Sequence, residues 1–487
     1  MYPWKSILSL DTQTKRPKYL QITDNVIKEV SAGRLQPGQK LPGTRMMAEL
    51  LELNRKTVIL AFDELLAQGW LEVIPSSGTF ISKHLPVTKH HKIENNGFEK
   101  ASGVPDLQND FGFIPSYLPK SPTAIIMDGG SPDPRLAPID WLYKESRSLV
   151  KSSRMAQKLL AYDGVQGDAI LTKTLAKYLS ETRGLSVSEK NIMITNGSQM
   201  GIFLASNSLI KTNDVVVVGS TSYDAAEWTF QYCGSKIHRI TVDEEGINTD
   251  HLADLCQVQK VKIVYITPHH HFPTTVTLSN KRRMHLLQLS IKFGFTILED
   301  DYDFDFHYKS NSILPLASLN SSGQVIYIGS FSKVFAPNLR IGYLVAHEHT
   351  IEILCRLRRI IDRQGDHLMQ HVLAEAIQSG ELNRHLKKTL HIYRQRRDNL
   401  VRLLNKHLRE FVEFEISEGG MAIWVRFKGI SLVSLKPVIN KMGLYMDIDK
   451  DLAKDHNSLR MGFASLDEEE QERAILILVK AIGQLSS

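Results

Sequence analysis

The residues best suited to chemistry lie in the stretch 327–343, YIGSFSKVFAPNLRIGY. An apolar run at 325–328 predicts a buried strand, which is expected to stop at Gly329. Hydroxyl and guanidinium groups bind phosphate, and the amine of a lysine attacks a carbonyl. The stretch therefore predicts a site for an anionic ligand that carries a carbonyl group. The polar residues that follow the strand end are Ser330, Ser332, Lys333 and Arg340.

A carboxylate and a phenol follow a second predicted strand at 295–298, in the sequence Glu299-Asp300-Asp301-Tyr302. A ligand with a cationic ring nitrogen, a phenolic oxygen, an aldehyde and a phosphate would use all of these groups at once. Pyridoxal 5′-phosphate (PLP) is such a ligand. Its aldehyde forms a Schiff base with a lysine, here Lys333, while an aspartate partners the ring nitrogen.

Each of these residues taken alone is also typical of another role. A lysine in a loop is more often a solvated surface charge, adjacent aspartates could bind Mg²⁺, and Arg340 could be an ordinary surface arginine. The order strand, Asp-x-Tyr, strand, Ser-x-Ser-Lys and then Arg is more specific than its parts, and it favours PLP.

The length and composition predict an ordinary soluble protein of roughly two to four domains. Of the 487 residues, 42% are hydrophobic and 23% are charged. The sequence has no apolar run that could span a bilayer and no signal-peptide pattern, so we expect a cytoplasmic protein without a membrane partner. Cys233, Cys256 and Cys355 are widely spaced and predict reduced thiols, not disulfides or a zinc site. A net charge of +6 permits nucleic-acid binding without establishing it.

Residues 1–84 are predicted to form a winged helix-turn-helix domain. Apolar residues at helical spacing predict three helices, the second at 45–51 with Thr44 as its N-cap and the third capped by Asn54. Alternation over 71–81, with Pro-Ser-Ser-Gly at the tip, predicts a β-hairpin.

The exposed start of the third helix, Asn54-Arg55-Lys56-Thr57, is typical of a recognition helix, whose first residues meet bases and phosphates. The alternative is a small helical interaction domain with a solvated basic face. The stretch 17–82 closely resembles the GntR-type winged-helix domain, which favours operator DNA as the partner. With Asn54 and the wing around Gly78 close by, the DNA contacts implied by this resemblance are Arg45, Arg55, Lys56 and Thr57.

An α/β domain is predicted at 123–487, after a polar linker at 85–122, and its part from 350 to 487 is expected to form a smaller subdomain. Apolar strand candidates alternate with helical stretches, which predicts a largely parallel sheet. Ligands of such sheets bind outside the carboxyl ends of the strands. The strand candidates are 192–194, 215–218, 261–266, 295–298 and 325–328.

Polar loops follow several of these strand ends. Gly197, Ser198 and Gln199 enter a helix and suit a phosphate, with a simple helix cap as the alternative. Tyr223 suits stacking on a flat ring, or is a core aromatic. The three histidines at 269–271 invite a zinc interpretation, but adjacent residues seldom converge on one ion, so we predict no metal.

The large domain resembles the fold-type I aminotransferases, most specifically in EDDYD at 299–303 and in the stretch 329–343. Together with the GntR-type domain, the chain resembles the MocR-type (GabR-like) transcriptional regulators. The resemblance implies that Lys333 is the catalytic lysine that forms the internal aldimine, that Asp300 pairs with the ring nitrogen, and that Tyr302 meets the phenolic oxygen. The residues implied to hold the phosphate are Ser198, Gln199, Ser330, Ser332 and Arg340.

The resemblance assigns three further residues. Tyr223 would stack on the cofactor ring. Arg460 matches an arginine that takes a substrate carboxylate, although a structural salt bridge is the alternative. Tyr162 matches a tyrosine that reaches the phosphate of the neighbouring subunit, which implies a head-to-tail homodimer. Departures from the family pattern make the effector harder to name; they lie at Thr172, the GSTSY context of Tyr223, His271, Thr275 and Met421.

We therefore expect a PLP-dependent, DNA-binding transcriptional regulator. PLP on Lys333 would sense an amino compound, or PLP itself would be the signal, and operator binding would respond. RNA polymerase is a further candidate partner. A working aminotransferase with an accessory DNA-binding domain is the alternative, so the sequence leaves open whether the chain turns over a substrate. A regulator that has lost PLP is disfavoured by the complete lysine, aspartate and arginine set.

Overall fold

The computed structural model describes residues 4–8, 10–11, 14, 16–86, 111–115, 125–308, 313–319, 323–335 and 337–486 of the chain. The chain divides into two compact units, Met1–Asn109 and Asp110–Ser487. Each unit has its own buried apolar core. Within the described ranges, no helix combines the length and the apolar character needed to cross a membrane.

The N-terminal unit is a winged helix-turn-helix, as the sequence predicts. In the helix Arg55–Ala67, the buried residues Val58, Phe62 and Leu65 recur at helical spacing and face the core. The two wing strands pair antiparallel, with Leu71 opposite Ile81. The elements are α1 (Trp4–Ile7), α2 (Lys18–Ser31), α3 (Thr44–Leu51), α4 (Arg55–Ala67), β1 (Leu71–Ile74) and β2 (Gly78–Ile81).

The start of α3 corrects one prediction. Thr44 is the first residue of the helix and Gly43 is its N-cap, so Thr44 does not cap the helix as predicted. Glycine is tolerated as an N-cap, although it brings no side-chain acceptor. Asn54 caps α4 as predicted, because its side chain accepts a hydrogen bond of 2.9 Å from the backbone N–H of Lys56.

The large unit is built on a seven-stranded sheet. The strands of the large unit, including those outside this sheet, are β3 (Ile125–Met127), β4 (Ile192–Thr195), β5 (Val215–Gly219), β6 (Lys236–Ile240), β7 (Val242–Asp243), β8 (Gly246–Ile247), β9 (Val261–Ile266), β10 (Thr296–Asp301), β11 (Val325–Ser330), β12 (Gly342–Val345), β13 (Val412–Phe414), β14 (Ala422–Phe427), β15 (Leu444–Met446) and β16 (Ser458–Gly462). The central order is β4-β12-β11-β10-β9-β5-β6. Neighbours from β11 to β6 are parallel, whereas β12 is antiparallel to both of its neighbours. The predicted α/β fold with a largely parallel sheet is confirmed.

Helices cover both faces of this sheet. The helices of the large unit are α5 (Ile139–Val150), α6 (Ser153–Leu160), α7 (Ala169–Arg183), α8 (Ser198–Leu209), α9 (Asp224–Tyr232), α10 (Thr249–Val258), α11 (Asn280–Phe293), α12 (Glu348–Ile361), α13 (His367–Gln378), α14 (Glu381–His407), α15 (Leu432–Lys441), α16 (Lys450–Asp455) and α17 (Glu468–Ser486). Ile263 and Leu298 pack with α8, α9 and α12, whereas Val264 and Ile297 pack with α10 and α11. This alternation is what consecutive side chains of a strand produce.

Two central strands run further than the sequence predicts. β10 runs to Asp301, and β11 runs to Ser330, one residue past the predicted end at Gly329. The extension follows from backbone pairing, because Asp300 lies opposite Ile328 in the parallel ladder. Asp300 therefore projects from strand β10 and not from the loop that follows it.

The C-terminal part of the large unit has a three-stranded antiparallel sheet, β13-β14-β16. Arg460 lies on its edge strand β16, opposite Trp424 on β14. β15 pairs in parallel with β3, with Leu444 opposite Ile125. The beginning of the large unit is thus joined to its C-terminal part.

Candidate functional site

Lys333 lies in the turn that follows β11. The backbone N–H of Ser332 donates to Ser330 Oγ at 3.1 Å and shapes this turn. Lys333 Nζ donates a hydrogen bond of 2.7 Å to the carbonyl oxygen of Gly130. Burial lowers the pKa of Lys333 below its ordinary value, although the nearby Asp128 opposes this shift. A larger share of the uncharged amine is therefore present at neutral pH, which suits attack on a carbonyl.

Asp300 is buried on β10, and only one of its two carboxylate oxygens has a hydrogen-bond partner among the described residues. Its Oδ2 accepts a hydrogen bond of 2.8 Å from the hydroxyl of Tyr265, whereas Oδ1 has no hydrogen-bond partner among the described residues. Burial raises the pKa of Asp300 to about 7, and the bond from Tyr265 acts in the opposite direction. A buried carboxylate oxygen without a partner is costly unless a donor or cation meets it. The cationic ring nitrogen of PLP fits this requirement.

A cradle for an anion forms where β4 leads into α8. Gly197 has a φ of 82°, which side chains of L-residues seldom adopt. A Cβ atom on Gly197 would overlap the guanidinium of Arg340. Arg340 Nη2 in turn donates to the carbonyl oxygen of Asn196 at 3.0 Å. Ser198 is the first residue of α8, so unpaired backbone N–H groups face this region, as a phosphate requires.

Ser332 and Gln199, two other predicted phosphate ligands, differ in whether their side chains already donate hydrogen bonds within the protein. Ser332 Oγ is buried and has no hydrogen-bond partner within the described ranges. The side chain of Gln199 is turned toward α9 instead, where its Nε2 donates to Ala225 O at 2.9 Å and to Thr229 Oγ1 at 2.8 Å. The serine hydroxyl is thus free for a ligand, whereas the Gln199 amide group already ties α8 to α9.

Arg460 and Tyr302 are held side by side. Arg460 Nη2 donates to the Tyr302 hydroxyl at 3.1 Å, Nε donates to Gly129 O at 2.7 Å, and Nη1 donates to Pro273 O at 3.3 Å. The Tyr302 hydroxyl donates to His270 O at 2.8 Å. The three oxygens that accept from Arg460 carry no formal charge. A ligand carboxylate could therefore provide the negative charge that this buried guanidinium favours.

Two aromatic rings line the same region. Tyr223 stands immediately before α9, and its ring meets the Phe272 ring edge-on at a centroid distance of 5.3 Å. The guanidinium carbon of Arg460 lies 5.2 Å from the centre of the Phe272 ring. Burial, and then the charge of Asp300, raise the pKa of Tyr223. The contacts with Phe272 and the charge of Asp300 thus place Tyr223, Asp300 and Arg460 in one region.

Tyr162 lies apart from this group on a single chain. Its side chain is 78% exposed, and the guanidinium carbon of Arg363 lies 4.3 Å from the centre of its ring. The neighbouring Leu160 is 71% exposed. Tyr162 therefore belongs to the surface and not to the buried residues around Lys333.

The metal interpretations find no support in the geometry. Asp300 and Asp301 are hydrogen-bonded to different tyrosines, Tyr265 and Tyr327, so the two carboxylates do not converge as a Mg²⁺ pair. Considering the residues that the structure describes, no group of three His, Cys, Asp or Glu side chains could hold a metal ion. The histidines have separate partners, Asp301 for His269 (3.0 Å), Asp303 for His270 (2.8 Å) and Thr274 for His271 (2.9 Å).

Tyr265 and Gly130 were not identified from the sequence. Gly130 contributes a backbone oxygen, which leaves no signal in residue types. Tyr265 is the one hydroxyl-bearing residue in the apolar run 261–266, and that was a usable signal. Its contact with Asp300 depends on the register of β9 against β10, which the sequence does not state.

The predicted DNA-binding residues lie on the exposed side of the N-terminal unit. Arg55 and Lys56 are exposed in the first turn of α4, and Thr57 is half-buried. Arg45 is exposed on α3 and lines a shallow groove together with Arg55. The Asn54 side-chain oxygen accepts the hydrogen bond that caps α4, so it already has a partner before any DNA contact.

A further positive charge, that of Lys40, lies beside the wing. Gly78 opens β2 with a φ of 121°. A Cβ atom at this position would lie 3.1 Å from Cε of Lys40. Lys40 also pairs with Phe80 as an isolated β-bridge. Its side chain therefore lies beside the predicted wing contact, where a phosphate would be favoured.

Comparisons with known proteins agree with both units. Residues 128–478 match the family described as aminotransferase class I and II, and residues 18–81 match bacterial regulatory proteins of the gntR family. The chain is 28% identical over 431 residues to a probable rhizopine catabolism regulatory protein MocR of Rhizobium meliloti. That match covers 86% of this chain and 84% of the relative.

Aminotransferases match a smaller share of the chain. Aromatic-amino-acid aminotransferase 1 of Thermococcus litoralis is 29% identical over 376 residues, which cover 75% of this chain and 90% of the enzyme. A crystal structure of Pyrococcus horikoshii kynurenine aminotransferase, in complex with PMP, matches with a TM-score of 0.69 at 29% identity. It covers 75% of this chain and 92% of the enzyme chain.

Proposed function

The chain belongs to the aminotransferase class I and II family and carries a gntR-family domain, and we propose that it senses an amino compound which bears a carboxylate. It is a GntR-type regulator fused to an aminotransferase-like domain, and its cofactor is PLP. In this proposal, PLP binds at Lys333, the effector binds beside it at Arg460, and the affinity for operator DNA changes as a result.

The observation that carries the proposal is the placement of Asp300 and Lys333 at the same end of two adjacent parallel strands, Asp300 on β10 and Lys333 in the turn after β11. Burial lowers the pKa of Lys333, and Asp300 is a buried aspartate whose Oδ1 has no partner among the described residues. A DNA-binding unit needs neither feature. Both features suit a cofactor that has an aldehyde at one end and a cationic nitrogen at the other.

When bound, PLP supplies an aldehyde carbon that primary amines attack and a ring that withdraws electrons from that carbon. Lys333 offers the resident amine, and Asp300 holds the positive charge of the ring nitrogen. Arg460 receives the effector carboxylate, while the oxygens of Gly129 and Pro273 keep its guanidinium oriented before the effector arrives.

Regulation requires that the effector bind two states of the protein with different affinities. The exposed Arg55 and Lys56 support operator DNA as the second ligand of this equilibrium. We propose a homodimer, arranged head to tail as the resemblance implies, in which Tyr162 reaches the phosphate site of its partner. Its 78% exposure supports this role.

The test begins with the visible absorption spectrum of the full-length protein with added PLP, beside that of Lys333→Ala. The expected result is a visible band that borohydride fixes covalently to the wild type and that Lys333→Ala lacks. Amino compounds are then titrated against the band and against binding of DNA selected from a random pool. Rapid multiple turnover with amino donors and no affinity for selected DNA would instead establish the aminotransferase alternative.

A further inference from the structure

Tyr265 makes the hydrogen bond that sets the orientation of Asp300. It lies on β9, directly opposite Leu298 of β10, and Asp300 is two residues further along the same face. A tyrosine is long enough to reach this diagonal neighbour. Its hydroxyl donates to Asp300 Oδ2 at 2.8 Å. The carboxylate is thereby fixed with Oδ1 as the oxygen that remains for a ligand.

The Tyr265 side chain is itself firmly placed. It is 3% exposed, and its ring packs edge-on against Phe230 at a centroid distance of 5.6 Å. Burial raises the pKa of Tyr265 well above its ordinary value, and the charge of Asp300 adds to this effect. The hydroxyl therefore stays protonated across the physiological range, and it acts as a hydrogen-bond donor to Asp300.

We propose that Tyr265 is a positioning residue for the cofactor, acting through Asp300 to favour the ionised form of that carboxylate and to aim it at the ring nitrogen of PLP. The inference rests on the proposed placement of PLP beside Lys333 and Asp300. Its chemical basis is that a donor to a carboxylate favours the charged form, and a charged carboxylate binds a pyridinium nitrogen more strongly than a neutral one.

The neighbouring strand provides a matched control. Tyr327 lies on β11 opposite Glu299 of β10, and it donates to Asp301 Oδ2 at 2.7 Å, again two residues further along. Tyr327 is as deeply buried as Tyr265. Asp301 projects to the other face of the sheet, away from the side that Asp300 occupies. Loss of the Tyr327 hydroxyl therefore removes the same kind of bond without touching the proposed cofactor contact.

The experiment compares full-length wild type, Tyr265→Phe and Tyr327→Phe with PLP as the probe. Tyr265→Phe is expected to weaken the Kd for PLP about tenfold, because a hydrogen bond to a charged group is lost. The pH midpoint of the visible band is expected to move upward, since a less cationic ring withdraws less electron density from the Lys333 nitrogen. Tyr327→Phe is expected to leave both quantities unchanged.

The double variant Asp300→Asn/Tyr265→Phe separates positioning from general stability. If Tyr265 acts through Asp300, the tyrosine substitution changes the Kd less than twofold in the Asp300→Asn background. An equal loss in both backgrounds, an unchanged midpoint in Tyr265→Phe, or an equal shift in Tyr327→Phe would each overturn the inference. A wild type with no visible band after addition of PLP would instead refute the proposed placement of the cofactor.

A second substitution covers the case in which Tyr265→Phe does not fold. Replacement of Tyr265 by 3,5-difluorotyrosine keeps its shape and its O–H group but makes the hydroxyl a stronger donor. The pH midpoint of the visible band should then move downward, opposite to the change expected for phenylalanine. A midpoint that does not move, or moves upward, would contradict the role of Tyr265.

Discussion

Gly197 and Arg340 lie so close together that a methyl group on the glycine would occupy the space of the guanidinium. Gly197 comes just before α8, and Arg340 comes just before β12, the strand that pairs with β4. The close approach thus joins a helix N-terminus to an arginine, and both attract anions. The absence of a side chain at Gly197 is what allows this arrangement.

Gly197→Ala is expected to weaken PLP binding at least tenfold, because the new methyl group displaces Arg340 from the cradle. An L-residue at positive φ also costs about 1–2 kcal/mol of unfolding free energy. Gly443→Ala is the matched control: Gly443 has a φ of 81°, and its Cβ atom would have no neighbour within 4 Å. Both variants should lose stability in urea, but only Gly197→Ala should lose PLP affinity by absorbance titration. An equal loss of affinity would refute the cradle.

The order of the site residues along the chain predicted that Lys333 and Asp300 belong to one edge of the sheet, and β10 and β11 are adjacent parallel strands. Both follow apolar runs, and parallel strands bring their carboxyl ends to one edge of a sheet. The sequence did not show that β12 inserts between β4 and β11 in the antiparallel direction. That insertion brings Gly342 against Gly197, and it depends on long-range pairing, which residue periodicity does not encode.

The local interactions of individual side chains were less predictable than their positions in the fold. Gln199 occupies the expected turn, but its amide group is bonded to α9. Threonine is a residue type that favours the N-cap position, but the helix starts at Thr44 itself. A competing contact with α9 decided the case of Gln199, and a shift of the helix start by one residue decided that of Thr44. Residue type and spacing restrict such choices without fixing them.

Asp300 should make the stability of the cofactor-free protein depend on pH. Its folded-state pKa of about 7 lies above the ordinary value of 3.8, so between these values the folded protein holds a proton that the unfolded chain has released. Stability therefore falls as the pH rises through this window, by about 2–3 kcal/mol from pH 5 to pH 8. Other titratable groups close to Asp300 are Tyr223, Tyr265, Tyr302, Asp301 and Asp303.

Urea unfolding of the cofactor-free protein at several pH values tests this dependence. Asp300→Asn should remove most of the decline and should be more stable than wild type at pH 8, because the buried charge is gone. Asp254→Asn, on the exposed side of α10, should follow the wild-type curve. The prediction is wrong if Asp300→Asn and wild type decline in parallel.

Arg460→Met should separate effector recognition from cofactor binding. The variant should keep the visible PLP band but respond 10- to 100-fold more weakly to L-amino acids, because a charge-assisted hydrogen bond to the carboxylate is lost. The response to the corresponding amines without a carboxylate should stay the same. Arg426→Met, an exposed arginine on β14 of the same small sheet, is the control. If Arg460→Met still prefers the amino acids to the amines, the carboxylate binds elsewhere.

Arg55→Ala should weaken binding to DNA selected from a random pool, because Arg55 is exposed at the start of α4, where recognition helices meet bases. The expected loss is about 1–3 kcal/mol, or roughly 5- to 150-fold in Kd at constant salt. Lys28→Ala removes the same charge from an exposed position on α2 and should cost much less. The visible PLP band should be identical in all three proteins. Equal losses in the two variants would mean that net charge, and not the placement of Arg55 on α4, determines DNA affinity.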